Sequence, residues 1–139
     1  MRRRQFLLGL SATLLAARAG LSLSTSSDVS TEMLPLWPGI PPGGGGPTGP
    51  VQLSVHGAQR HIAVPFLTIL MPFRANGHGV LVAPGGGYTR VEMAKEGWPA
   101  ARWLVARGYT AYILSYRLPG EGWHDGSRVA LQDAQRALR

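Results

Sequence analysis

At 139 residues the chain is long enough for one small domain and too short for two. Its 45% hydrophobic content argues against disorder, and with no Cys it can form neither a disulfide nor a thiolate metal site. The net charge of +7 would suit nucleic acid or an anionic membrane, but Arg2, Arg3, Arg4 and Arg18 sit in a leader, and without them the charge falls to about +3. The other arginines, such as Arg60, Arg74 and Arg90, stand singly, so no clustered nucleic-acid footprint exists.

Arg2-Arg3-Arg4 precedes an apolar run from Phe6 to Ala17, about half of the ~20 residues a spanning helix needs. Ala17-Arg18-Ala19 offers an A-x-A-like cleavage site before Gly20, and Arg3-Arg4-Gln5-Phe6-Leu7 resembles the twin-arginine export signal. Residues 1–19 therefore read as a signal peptide, and the expected location is periplasmic or secreted, with no stable membrane span once the leader is removed. Residues 20–33, rich in Ser and Thr, read as a polar linker.

From Leu34 to Pro50 the sequence is LPLWPGIPPGGGGPTGP, in which Pro removes backbone donors and Gly maximises chain freedom. The expectation is an extended loop, so residues 20–50 together form a linker and Gly/Pro-rich loop before a domain at 51–139. Gly44 to Gly49 formally fits G-x-G-x-x-G. With no preceding strand, Pro47 inside it and no helical pattern after it, the dinucleotide reading has no support.

Val51 to Val55 alternates as a half-buried strand does, and Ile62 to Met71 is a second β-type stretch whose Pro65 favours an edge or a bulge. Asn76-Gly77 marks a turn. Val80-Leu81-Val82-Ala83 reads as a short buried strand of the parallel kind. After Pro84-Gly85-Gly86-Gly87-Tyr88 a helix is expected from about Trp98, with Pro99 in its first turn and Ala100, Trp103, Leu104 and Ala106 on its apolar face. Gly108 would cap it. Tyr109 to Tyr116 forms the next strand, and a second helix starts near Ser127 or Arg128. The order β, β, β, α, β, α implies an α/β fold with a mostly parallel sheet and helices on its faces. That sheet would end at an unpaired edge after Tyr109–Tyr116, an aggregation hazard.

The glycine triplet carries the chemistry. Acyl transfer builds negative charge on an oxygen, and backbone N–H groups aimed at one point in a water-poor cleft stabilise it. Glycines let the backbone turn sharply and approach a substrate. A β-strand, a glycine loop and a helix in succession reproduce the setting of the HGGG-type loop of α/β hydrolases, with Pro84 in place of the His.

Four stretches, LPLWPG (34–39), VLVAPGGGY (80–88), KEGWPAARWLVARGYTAYILSYRLP (95–119) and LQDAQRALR (131–139), resemble the N-terminal part of secreted α/β-hydrolase esterases related to acetyl-xylan and feruloyl esterases. The resemblance implies the N-terminal half of an α/β-hydrolase fold, with oxyanion-hole amides on Gly85 and Gly86 first and Gly87 second. It also makes Tyr116-Arg117 and Asp133 to Ala137 structural signatures. The implied partner is a small ester or an acylated carbohydrate, with no cofactor or metal. The mechanism further needs Ser in G-x-S-x-G, followed by an acid and a His, and no such motif occurs here. Ser127 directly follows Gly126 and Ser115 lies within a strand. The nucleophile is therefore expected some tens of residues beyond Arg139, with the chain inactive alone. The alternative is an exported, non-catalytic carbohydrate-binding or interaction module.

Other polar residues have simpler readings. His56, His61, His78 and His124 are dispersed, without metal-ligand spacing. Glu92 and Glu96 fall near a helix start, where acidic groups favour the macrodipole, and Glu121 stands in a loop. His124-Asp125 shapes a polar loop or lines a cleft, Trp103 reads as core, and Tyr88, beside the glycines, is a candidate substrate contact.

Overall fold

A computed structural model describes residues 29–139. The signal peptide read at 1–19 and the cleavage site before Gly20 lie outside the described residues. The chain forms a small α/β unit: strands β1 (Ser30–Pro35), β2 (Gln52–Leu53), β3 (Gln59–Arg60), β4 (Phe66–Met71), β5 (Gly79–Val82) and β6 (Thr110–Ser115), with helices α1 (Trp98–Val105) and α2 (Arg128–Ala137). A five-residue π-helical turn, Met93–Gly97, leads into α1.

Four strands make one mixed sheet in the order β1-β4-β6-β5, while β2 and β3 form a separate two-stranded ribbon. The expectation of a mostly parallel sheet fails: β1–β4 and β4–β6 are antiparallel, and only β5–β6 is parallel. A helical crossover imposes parallel pairing only where it joins two neighbouring strands, and β5–α1–β6 is the one such unit among the described residues. Between β4 and β5 the chain instead reverses through a short turn at Asn76-Gly77, and β6 inserts between them. The expected open edge after Tyr109–Tyr116 is likewise corrected: β6 is paired on both sides, and the edge strands of the sheet among the described residues are β1 and β5.

Both faces of β6 are covered, which explains its continuous apolar sequence. Ile113 points toward the start of α1, where a Cβ on Gly97 would meet its Cγ2 at 3.0 Å. The next residue, Leu114, points to the opposite face and shares a cavity wall with Ala130 and Ala134 of α2. The two helices therefore lie on opposite faces of the sheet. Pro65 precedes β4 instead of interrupting it. Lacking an N–H, it contributes only its carbonyl, which accepts from the Leu36 N–H at 3.0 Å, so β4 can run through the sheet interior.

Three local expectations change. β1 occupies the end of the polar linker and the start of the Pro-rich stretch, pairing Leu34 with Leu67 at the sheet edge. The alternation at Val51–Val55 yields only two paired residues, and Leu53 and Val55 are exposed because the ribbon has no covering layer on that side. Helix α1 starts at Trp98 with Pro99 in its first turn and ends before Gly108, which adopts φ +85°, but its buried stripe is Ala101 and Val105. Trp103 is not core. Two residues from Ala101 is roughly 200° around a helix, so the indole is 56% exposed and stacks under the Arg107 guanidinium at 3.8 Å.

The Gly/Pro stretch is a built part of the structure. Gly43 to Gly46 all adopt positive φ and lie against Trp123-His124-Asp125, with Gly46 N–H donating to Gly122 C=O at 3.0 Å and His124 N–H to Gly44 C=O at 3.0 Å. A Cβ on Gly46 would come within 2.5 Å of the Trp123 ring. His124-Asp125 thus shapes the loop, and the Asp125 carboxylate accepts from Gln132 Nε2 at 2.7 Å.

Beneath this loop, Arg117 and Asp133 form a fully buried fork, with Nε to Oδ2 at 2.9 Å and Nη2 to Oδ1 at 2.8 Å. Burying such a pair is tolerable only when the remaining hydrogen-bonding groups are also satisfied. Here Asp133 accepts from the Trp37 indole at 3.0 Å and the Arg117 backbone at 3.0 Å, while Arg117 also reaches the carbonyls of Pro42 and Val129. The two signature residues therefore tie α2, the end of β6 and the Pro-rich segment together.

Candidate functional site

The glycine loop leaves β5 at its carboxyl end, where ligands bind in open α/β sheets. It is pinned at four points. Tyr116 donates its hydroxyl hydrogen to Pro84 C=O at 2.8 Å. Gly85 C=O accepts from Glu92 N–H at 3.0 Å, and Gly85 N–H donates to the Glu96 carboxylate at 2.5 Å. Gly86 C=O accepts from both Thr89 N–H at 3.2 Å and Thr89 Oγ1 at 3.0 Å.

Between Gly86 and Thr89 the chain turns through Gly87 at φ +62° and Tyr88 at φ +58°. Two consecutive central residues at positive φ are what a type I′ turn requires. Gly87 meets that requirement freely, whereas Tyr88 is a bulky residue held in a sparsely populated region, a feature that marks functional loops. Gly86 is obligatory for a different reason: a Cβ there would stand 2.1 Å from Arg90 C=O. Among the described residues, the N–H groups of Gly86, Gly87 and Tyr88 have no acceptor.

A cavity of about 440 Å³ opens beside the loop. Pro84, Gly87 and Tyr88 line one side, Leu131 and Ala134 of α2 the other, and Tyr116 lies between them. Tyr88 is 62% exposed and meets Tyr116 edge-on at 6.2 Å between ring centres. Burial raises the Tyr116 phenol above its ordinary value, with smaller contributions from Tyr88 and the negative Glu96, so the phenol remains a proton donor to Pro84. At the far end of the loop the Arg90 guanidinium binds the Glu92 carboxylate and holds it below the usual carboxylate range, against the opposing effect of burial.

Of the residues singled out in the sequence, Gly85, Gly87 and Tyr88 all border the cavity, whereas the amide of Gly85 is already engaged by Glu96. Ser127 also lines the cavity, but among the described residues its hydroxyl has no hydrogen-bond partner and hence no base to activate it. Ser115 is buried and donates to Gln59 Oε1 at 2.7 Å. Glu121 accepts from the His61 backbone at 2.6 Å, and the His61 ring meets Thr48 C=O at 2.9 Å. No group of three His, Cys, Asp or Glu that could hold a metal occurs among the described residues. None of their helices is long and apolar enough to cross a membrane.

Sequence reasoning missed Glu96 and Tyr116 as loop anchors. Glu96 reads as a helix-start residue because of its position before Trp98. The π turn, with Gly97 N–H on Glu92 C=O at 3.2 Å, widens the chain there and brings the carboxylate to Gly85. No local pattern signals that approach across eleven residues.

An acetylxylan esterase of Xylanibacter ruminicola is 27% identical over 73 residues, which is 52% of this chain and 14% of that protein. The chain is distantly similar to acetylxylan esterase over part of its length. An acetyl ester-xyloside bifunctional hydrolase from Caldicellulosiruptor lactoaceticus superposes with a TM-score of 0.49 and 28% identity, covering 77% of this chain and 34% of that one. No family model matches the chain. The chain thus spans well under half the length of these relatives.

Proposed function

We propose that this chain carries the oxyanion-binding half of an exported serine-type carboxylic-ester hydrolase of the α/β-hydrolase fold, acting on small esters or the acyl groups of a polysaccharide. The observation that supports this most directly is the loop: Gly87, whose amide has no acceptor among the described residues, borders a cavity of about 440 Å³ at the carboxyl end of β5, and the acceptor-free amide of Gly86 precedes it in the chain. An ester carbonyl seated there would receive two N–H donors as its oxygen gains charge. Because Glu96 holds the Gly85 N–H, the donor pair is Gly86 and Gly87, and Gly85 becomes the anchor.

The remaining chemistry, Ser attack with His as base, requires residues that these 139 do not supply, since no G-x-S-x-G is present. In this reading they come from sequence following Arg139, whose elbow strand would pair with the free side of β5. Hydrolysis is therefore expected only from the longer product. Export follows from the signal at residues 1–19.

The test is to sequence the source DNA past the codon for Arg139, express the continued frame and assay it on p-nitrophenyl acetate and acetylated xylan. Hydrolysis by the extended protein, with none from the 139-residue chain, supports the reading. A stop directly after Arg139, with no hydrolysis by the chain, removes it.

A further inference from the structure

We infer that Glu96 is a positioning residue for the anion-binding loop: by taking the Gly85 N–H it fixes the backbone rotation that leaves the next two amides free. The inference rests on the oxyanion reading of the preceding section and deepens it.

The geometry supports a clamp of both polar groups of one glycine. Gly85 N–H reaches Glu96 Oε2 at 2.5 Å, a short charge-assisted contact, while Gly85 C=O receives Glu92 N–H at 3.0 Å. Glu96 lies in the π turn and Glu92 caps its start, its carbonyl accepting from Gly97 N–H, so Gly85 is gripped from one side by one short piece of chain. A Cβ on Gly85 would meet Oε2 at 3.0 Å and Oε1 at 3.4 Å, which puts the carboxylate directly against this residue. Tyr116 fixes the preceding carbonyl and Thr89 the following one. With Pro84 to Gly86 immobilised in this way, Gly86 and Gly87 N–H remain without acceptors among the described residues.

Glu96 itself carries negative charge next to a place where an anion would form. Its charge opposes that anion, so what it contributes is position. Glutamine keeps an acceptor oxygen for Gly85 N–H and removes the opposing charge. Alanine removes both. A purely electrostatic role therefore predicts equal gains in the two variants, whereas a positioning role separates them and makes E96A the weaker binder.

The experiment uses dilute, isotope-labelled chain, with amide NMR to follow Gly85, Gly86 and Gly87 and acetate as the anion probe. The expected wild-type signature is a Gly85 amide proton shifted downfield and protected from exchange. Protection falls by about tenfold in E96A and by less than about threefold in E96Q, as expected when a local opening is released. Acetate moves the Gly86 and Gly87 signals in wild type, at least as tightly in E96Q, and about tenfold more weakly in E96A. Unchanged Gly85 protection and unchanged acetate binding in E96A overturn the inference, as does an E96Q variant that behaves like E96A. If Gly85 depends on Glu96 as stated while acetate leaves Gly86 and Gly87 unmoved in wild type, the clamp on Gly85 stands, its proposed link to anion binding falls, and the oxyanion reading falls with it.

Discussion

Tyr116 and Pro84 are joined by one buried hydrogen bond of 2.8 Å, hydroxyl to carbonyl, which hangs the glycine loop from the residue that follows β6. Removing the hydroxyl with Tyr116→Phe leaves a buried carbonyl without its partner, at a cost of about 1–3 kcal/mol. The same variant tests a pH effect. The folded-state phenol is raised above its ordinary 10.0, mainly by burial. The native state then binds this proton more tightly than the unfolded chain does. Its contribution is complete below about pH 10 and is lost as the pH rises through the folded-state value. Denaturant melts of wild type should weaken above that pH, and those of Tyr116→Phe should weaken less. Parallel losses in the two proteins would contradict the assignment.

Arg117 and Asp133 make a second measurable commitment, because each is 0% exposed and neither has water as a substitute partner. Arg117→Met strands a buried carboxylate and is expected to cost about 3–5 kcal/mol. Arg117→Lys should recover little of this. A single ammonium cannot reproduce a guanidinium that reaches Asp133, Gln132 and the carbonyls of Pro42 and Val129 together. Thermal melts of the two variants decide the point, and a near-wild-type Arg117→Lys would show that charge alone suffices.

Parts of this structure are legible in the sequence because their causes are local. Pro99 and Gly108 bracket α1, and the near-continuous apolar run Tyr109–Tyr116 reads as a strand, found at Thr110–Ser115. The glycine triplet also falls where its composition indicates, between β5 and the helix that follows. Sheet order is different, because nothing near β4 says that β6 will insert between it and β5. The burial of α1 is hidden by one large side chain: Trp103 attracts a core assignment by its size, yet the small Ala101 defines the face. Glu96 shows the same limit at the site. Its partner is a backbone group reached through a π turn, and sequence periodicity carries no trace of it.

The run Gly43 to Gly46 looks like low complexity, but its position against Trp123 makes at least one glycine irreplaceable. Gly46 has φ +78°, and a methyl group there would stand 2.5 Å from three carbons of the indole. Gly46→Ala must therefore push Trp123 off Arg117, whose guanidinium lies 4.9 Å from that ring, besides incurring roughly 1–2 kcal/mol for the left-handed backbone. Gly49 shares a positive φ of +97° but faces open space, so Gly49→Ala carries the backbone cost alone. The expected order in a urea titration is wild type, then Gly49→Ala, then Gly46→Ala. Equal losses would mean that the Trp123 contact contributes nothing.

The free side of β5 has a consequence for the chain in solution. Val80 to Val82 pair with Ala111 to Ile113 on one side, and among the described residues nothing pairs with the other. Beside that edge, across the cavity, Leu131 of α2 is 59% exposed. An unpaired apolar strand edge next to an uncovered helix face is a template for association with other chains. The expected behaviour is low solubility and self-association that rises with concentration, visible as a shift in sedimentation. Val80→Lys puts a charge on the edge, the usual way in which strand edges are protected, and should move the equilibrium toward monomer without altering the helical signal. A wild-type chain that is soluble and monomeric at all accessible concentrations, with a single cooperative melt, would mean that this edge is protected by something other than a further strand.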